Sequence, residues 1–190
     1  MLDFHYNHFL FHPDKLVLSK SIFLEIGFGM GQNLLEIATH NKDSLVIGVD
    51  PFLNGIASLI ENCVNNKINN VLVYPKPIQE FLEQFKNIYF EKVFILFPDP
   101  WPKKKHQKRR VFKDKFIQIL LERIKKNGEI YFATDNQDYY EQALHDLEIV
   151  KKTSHISIQK VDSNELVLTK YFQRAKKLGN NVNFLVIVKL

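Results

Sequence analysis

Apolar and polar positions follow two rhythms along this chain. Short runs rich in β-branched and aromatic residues predict strands over residues 22–26, 45–49, 71–73, 93–97 and 130–133. Between them, apolar residues recur at helical spacing and predict helices over 33–39, 56–64, 78–85 and 114–126. Asp114 is placed to cap the last of these, and Asn127-Gly128 to stop it. Buried strands alternating with helices predict an α/β fold, with a doubly wound, mostly parallel sheet covered on both faces. The tail breaks the rhythm. Strand-like runs at 148–152, 166–169 and 182–188 lack full helical crossovers, apart from a helix-like stretch at 170–178. An antiparallel C-terminal edge is expected there. No linker, repeat or low-complexity tract divides the sequence, so residues 1–190 are read as one domain.

Each predicted strand end in a set of four carries an acid: Glu25, Asp50, Asp99 and Asp135. In an open α/β sheet the ligand crevice lies outside the carboxyl ends of the strands. The first of these ends runs into Gly27-Phe28-Gly29-Met30-Gly31 and then a helix. Glycines let the backbone turn tightly and approach a ligand closely. The dinucleotide pattern would want a third glycine at position 32, which is Gln32. A G-x-G-x-G loop with an acid two residues before it is the form usual in S-adenosylmethionine-dependent methyltransferases. An acceptor-rich loop also suits a cationic sulfonium better than a pyrophosphate, which prefers bare N–H donors. Glu25 and Asp50, with Gly27 and Gly29, are therefore the candidate cofactor residues. Asp50 is placed for ribose hydroxyls, and Glu25 for the cofactor's amino-acid portion.

Charge sharpens this picture because it is local. The net charge is +5, yet residues 103–110 hold six of the 26 Lys and Arg, and the other 20 stand against 21 acids. That block follows Phe97-Pro98-Asp99-Pro100-Trp101-Pro102 directly. A carboxylate and the only Trp thus sit beside an anion-binding arm, which suits a flat base carried on a polyanion. Each feature also has a plainer reading. Asp99 between prolines serves equally as a turn cap, Trp101 as a core aromatic, and the cations as a solvated loop. The single cysteine, Cys63, excludes an internal disulfide and a Cys-rich metal site, and reads as packing. The seven His lack metal-ligand spacing, so no metal is expected. An acid near the start and apolar runs of only five residues argue against a secretory signal and a membrane span. A cytoplasmic protein, monomer or homodimer, is the expectation.

Taken with Ala133-Thr134-Asp135 and Thr169-Lys170-Tyr171, the glycine loop and the Phe97–Trp101 segment resemble the tRNA (guanine-N7-)-methyltransferase family. The resemblance runs from about residue 22 to 190. It implies a Rossmann-like class I methyltransferase fold, S-adenosylmethionine as methyl donor, and a guanosine in the tRNA variable loop as acceptor. By motif it implies cofactor contacts for Glu25, Asp50 and Asp99, a catalytic role for Asp99, and substrate binding by Lys103, Asp135 and Thr169. Three features depart from the family pattern. Phe172 stands where the family has Glu. Lys76 and Pro77 stand where an acid usually follows the third strand. Only about two dozen residues precede the glycine loop, where the family usually carries a longer, basic arm. Two other readings remain open: an exocyclic-amine RNA methyltransferase using an Asp-Pro-aromatic turn, and a non-catalytic RNA-binding protein on the same fold.

Overall fold

A computed structural model describes residues 2–16, 21–161 and 181–190. Among the described residues, seven strands form one sheet in the order β3-β2-β1-β4-β5-β7-β6. The chain divides into two compact units, residues 1–91 and 92–190.

In the first unit, α1 (Leu2–Phe9) and a short 3-10 turn precede β1 (Ser21–Ile26), α2 (Gln32–His40), β2 (Ser44–Val49), α3 (Leu53–Asn65), β3 (Val71–Tyr74) and α4 (Ile78–Gln84). β1 pairs parallel with β2, and β2 parallel with β3. The β2 sequence Leu-Val-Ile-Gly-Val is apolar throughout because both of its faces are covered, and Leu45–Val49 is buried along its whole length. Leu34, Ile56, Leu59 and Phe81 are at most 1% exposed and carry the helical apolar stripes into this core. A main-chain bridge from Leu10 to Val73 shields the free edge of β3.

The second unit takes in most of β4 (Phe90–Leu96) and holds α5 (Asp114–Arg123), β5 (Ile124–Thr134), α6 (Gln137–Lys151), β6 (Ile156–Val161) and β7 (Asn183–Lys189). β7 pairs antiparallel with both β5 and β6, which gives the expected antiparallel C-terminal edge. Phe112 stacks on Phe132 at 4.2 Å, and Tyr139 meets Phe132 edge-on. These buried rings fasten α6 to the sheet.

The structure corrects several expectations. α5 ends at Arg123, not 126, and passes straight into β5. Lys189 Nζ donates to the carbonyls of Leu121 and Ile124 at 2.7 and 2.9 Å, taking acceptors that a further helical turn would use. Asn127 does adopt a left-handed conformation, φ 62, but inside the strand. Asp114 is the first helical residue rather than the cap. The cap position is Lys113, and Asp114 faces the positive end of the helix dipole. Residues 148–152 close α6 instead of forming a strand, because Leu147 and Val150 continue its buried stripe from Tyr139 and Ala143. Phe97 leaves β4 with φ 52. The expected elements at 166–169 and 170–178 lie outside the described residues.

Candidate active site

The first unit presents a cradle after β1. Gly27, Gly29 and Gly31 have φ of 72, 55 and 78, three left-handed residues within five. The Asp50 carboxylate fixes this loop. Its Oδ2 accepts from Gly29 N–H at 2.8 Å and its Oδ1 from Phe52 N–H at 2.9 Å. A carboxylate oxygen keeps a second acceptor direction after one such bond. Asp50 can thus hold the loop and still accept from a hydroxyl. A Cβ on Gly27 would meet nothing within 4 Å, so the loop leaves open space on that side. Gly55, in the first turn of α3, closes the opposite side. A Cβ there would sit 1.9 Å from the Gly29 carbonyl oxygen.

Glu25 and Asn33 lie under the loop, each 3% exposed. Glu25 Oε2 and both polar atoms of the Asn33 side chain lack a hydrogen-bond partner. Buried polar groups are nearly always paired, so these three atoms make the pocket under the loop a candidate ligand position. Burial pushes the Glu25 carboxyl up to about 8. The nearby Asn33 amide pulls the other way without reaching bonding geometry, and the Asp50 charge adds to the rise. Glu25 is therefore mostly protonated at neutral pH. In the unfolded chain it releases that proton near 4.5. The Glu25 contribution to folded stability is thus expected to fall as pH rises from about 4.5 to about 8, then level off. Glu25→Gln cannot titrate and should erase that slope, so its advantage in melting temperature over the parent should grow between pH 5 and 8. Parallel melting curves of both proteins across that range would refute this.

In the second unit, the turn after β4 is pinned at both ends. At its start Phe97 N–H donates to Ala133 O at 2.8 Å, and the Phe97 ring packs edge-on against Phe184. At its end Trp101 takes φ 43. Two non-glycine residues in the left-handed region cost roughly 1–3 kcal/mol each, and such strain clusters at functional sites. What the turn presents is Asp99, exposed, and Trp101, half-buried. Arg109 lies 4.8 Å over the Trp101 ring and His106 meets it edge-on. The indole is thus a rim group and not a core aromatic. A six-residue 3-10 helix, Lys104–Arg109, carries the basic run, with Lys103, Lys104, Lys105, Lys108 and Arg109 exposed.

Arg110 breaks from that run. It is 4% exposed. Its Nε donates to Pro100 O at 2.7 Å and its Nη1 to Gln142 Oε1 at 3.0 Å. Its Nη2 pairs with the Asp138 carboxylate, which also accepts from Gln107. The guanidinium lies 4.7 Å over the Tyr139 ring. Asp135 is exposed just before α6, whose cap Asn136 accepts from Tyr139 N–H at 2.8 Å. Thr169 and Phe172 lie outside the described residues. Lys76, at the position of the missing family acid, pairs with Glu80 one helical turn on. Among the described residues, no group of three or more His, Cys, Asp and Glu is placed to hold a metal ion, and no helix is long and apolar enough to cross a membrane.

Asn33, Gly55 and the inward turn of Arg110 escape a reading of the sequence. Asn33 does show as a polar residue on an apolar helix face, and Gly55 as a lone glycine in a helix. Arg110 shows nothing, since it looks like its neighbours.

Residues 19–185 match a family model described as "Putative methyltransferase". The chain is 39% identical to a tRNA (guanine-N(7)-)-methyltransferase of Wolbachia pipientis, over 90% of this chain and 76% of that protein. It is 35% identical to a bifunctional methyltransferase of Rickettsia felis, over 98% of this chain but 36% of that protein. The chain thus spans about a third of the bifunctional relative's length. Among solved structures, an rRNA methylase from Streptococcus thermophilus superposes with a TM-score of 0.63 at 13% identity, over 100% of this chain and 93% of the other.

Proposed function

Because the chain belongs to the tRNA (guanine-N7-)-methyltransferase family, we propose that it transfers a methyl group from S-adenosylmethionine to N7 of a guanosine in the tRNA variable loop. The observation that carries this reading is the strained Phe97–Trp101 turn, which presents a carboxylate and an indole beside a basic helix.

The residues of the first unit fit the cofactor. The unpartnered Glu25 Oε2 and Asn33 amide suit its amino-acid end, Asp50 its ribose hydroxyls, and the open face at Gly27 its close approach. When bound, the cofactor supplies an electrophilic methyl on a sulfonium.

N7 of guanine carries a lone pair and no proton, so no general base is required there. The protein's work is alignment, and effective molarities of roughly 10⁵–10⁸ M are available from positioning alone. Positive charge develops on the purine as N7 is methylated. Asp99, in its catalytic role and as a cofactor contact, offsets that charge. Asp135 accepts from the guanine N1–H and exocyclic amine, which adenine cannot match. Trp101 offers a stacking face worth roughly 1–3 kcal/mol for a base. Lys103 and its neighbours hold phosphates. Thr169 enters as a substrate contact by resemblance alone.

The deciding experiment is methyl transfer from labelled S-adenosylmethionine to unmodified tRNA, with the product nucleosides identified by mass spectrometry. 7-Methylguanosine is the expected product. N6-methyladenine would select the exocyclic-amine reading instead, although Pro102 stands one place late for that turn. Binding of tRNA without turnover at saturating cofactor would select the non-catalytic reading.

Changing Lys103, Lys104 and Lys105 together to Ala should raise KM for tRNA while leaving kcat near the parent value. Each lost phosphate contact should also flatten the plot of log affinity against log salt by roughly 0.7–0.9. An unchanged salt slope would remove these lysines from the interface.

A further inference from the structure

We propose that Arg110 is a positioning residue, which fixes the Asp99 turn against the first turn of α6 and so sets Asp99 relative to Asp135. The inference rests on the proposed methyl transfer for its kinetic consequence but not for its structural one.

Three contacts define the clamp. The Pro100 carbonyl, accepting from Arg110 Nε, belongs to the residue between Asp99 and Trp101. On the other side, Asp138 and Gln142 lie one helical turn apart on α6 and take the two remaining arms of the guanidinium. Tyr139 closes the stack and is itself fixed, since its hydroxyl accepts from Phe112 N–H at 3.0 Å. A planar fork with fixed donor directions can serve these acceptors together, whereas an ammonium on a flexible stem cannot reproduce the pattern. The turn it holds is strained at Phe97 and Trp101 and needs such outside support. With its charge buried and each of its three nitrogens engaged, Arg110 is not available to RNA phosphates as its five exposed neighbours are.

The test compares Arg110→Ala, Arg110→Lys and Gln142→Leu with the parent. Trp101 is the only Trp, so its fluorescence reports on the turn without any turnover. Loosening the clamp should raise acrylamide quenching of Trp101 about twofold in Arg110→Ala, with Arg110→Lys restoring little. In steady-state assays kcat should fall by about 100-fold, the scale expected of a misplaced catalytic group, with KM for tRNA and its salt slope unchanged. Should Arg110→Ala fail to fold, Gln142→Leu removes one arm of the clamp, together with the Gln142 bonds to the Phe112 carbonyl and Asp146, and should show both effects in smaller measure. A raised KM with a flatter salt slope and parent-like kcat would make Arg110 a phosphate contact and overturn the proposal. Unchanged quenching would overturn it whatever the reaction. Increased quenching in a protein whose parent methylates no tRNA would sustain the clamp and refute the proposed function alone.

Discussion

Asp99→Asn is expected to lower kcat by about 10²–10³-fold, the scale of losing one preorganised electrostatic group at a site of developing charge. Asn keeps the shape of the side chain and one acceptor oxygen but removes the negative charge. The fold should tolerate the change. Asp99 is exposed, and the turn is held by Phe97 at one end and by the Pro100 carbonyl at the other, not by the carboxylate. Surface substitutions of this kind usually shift stability by no more than about 0.5 kcal/mol. KM for tRNA should change little, because phosphate contacts dominate affinity. Single-turnover rates beside melting curves would separate the two effects. A parent-like rate would remove Asp99 from the chemistry and leave its exposure unexplained.

Gly55→Ala carries the second large effect, and here helix propensity and packing point in opposite directions. Ala is about 1 kcal/mol better than Gly inside a helix, so propensity alone predicts a more stable protein. The structure predicts the reverse. A methyl at this position would lie 1.9 Å from the Gly29 carbonyl oxygen and 2.8 Å from the Phe52 ring. The oxygen is backbone and cannot swing aside. Either α3 lifts or the loop moves, and a moved loop strains the Gly29–Asp50 hydrogen bond. Overpacking of this kind costs roughly 1–3 kcal/mol. Cofactor affinity should fall by at least about tenfold, since the displaced peptide is part of the cradle. Melting curves and calorimetric titration with S-adenosylhomocysteine would check both. A stabilised variant with unchanged affinity would show that the α3–loop contact does not shape the cradle.

These two residues mark the limit of what the sequence discloses. Asp99 is legible because its chemistry is local: two prolines, one Trp and a cation block adjoin it in the chain. Gly55 is not legible, because its role is a contact with Gly29 across 26 positions. The same division runs through the fold. β1 to β3 and the helices between them follow from short-range patterning, since a strand buried on both faces must be apolar throughout. β6, the length of α6 and the early end of α5 do not follow. Residues 148–152 suit a strand as well as a helix by composition, and the buried stripe through Tyr139, Ala143, Leu147 and Val150 settles them as helix. α5 stops where Lys189, 65 residues beyond Ile124, takes its carbonyls.

By itself, then, the sequence determined the α/β class, the glycine loop, the four strand-end acids and the basic segment, because each is written in neighbouring residues. Tertiary structure alone decided that Asp50 locks the loop, that Glu25 Oε2 and the Asn33 amide are buried without hydrogen-bond partners, and that one of six adjacent cations turns inward. Burial and pairing are properties of what lies across the fold, and a guanidinium looks the same in sequence whether it meets solvent or a carbonyl.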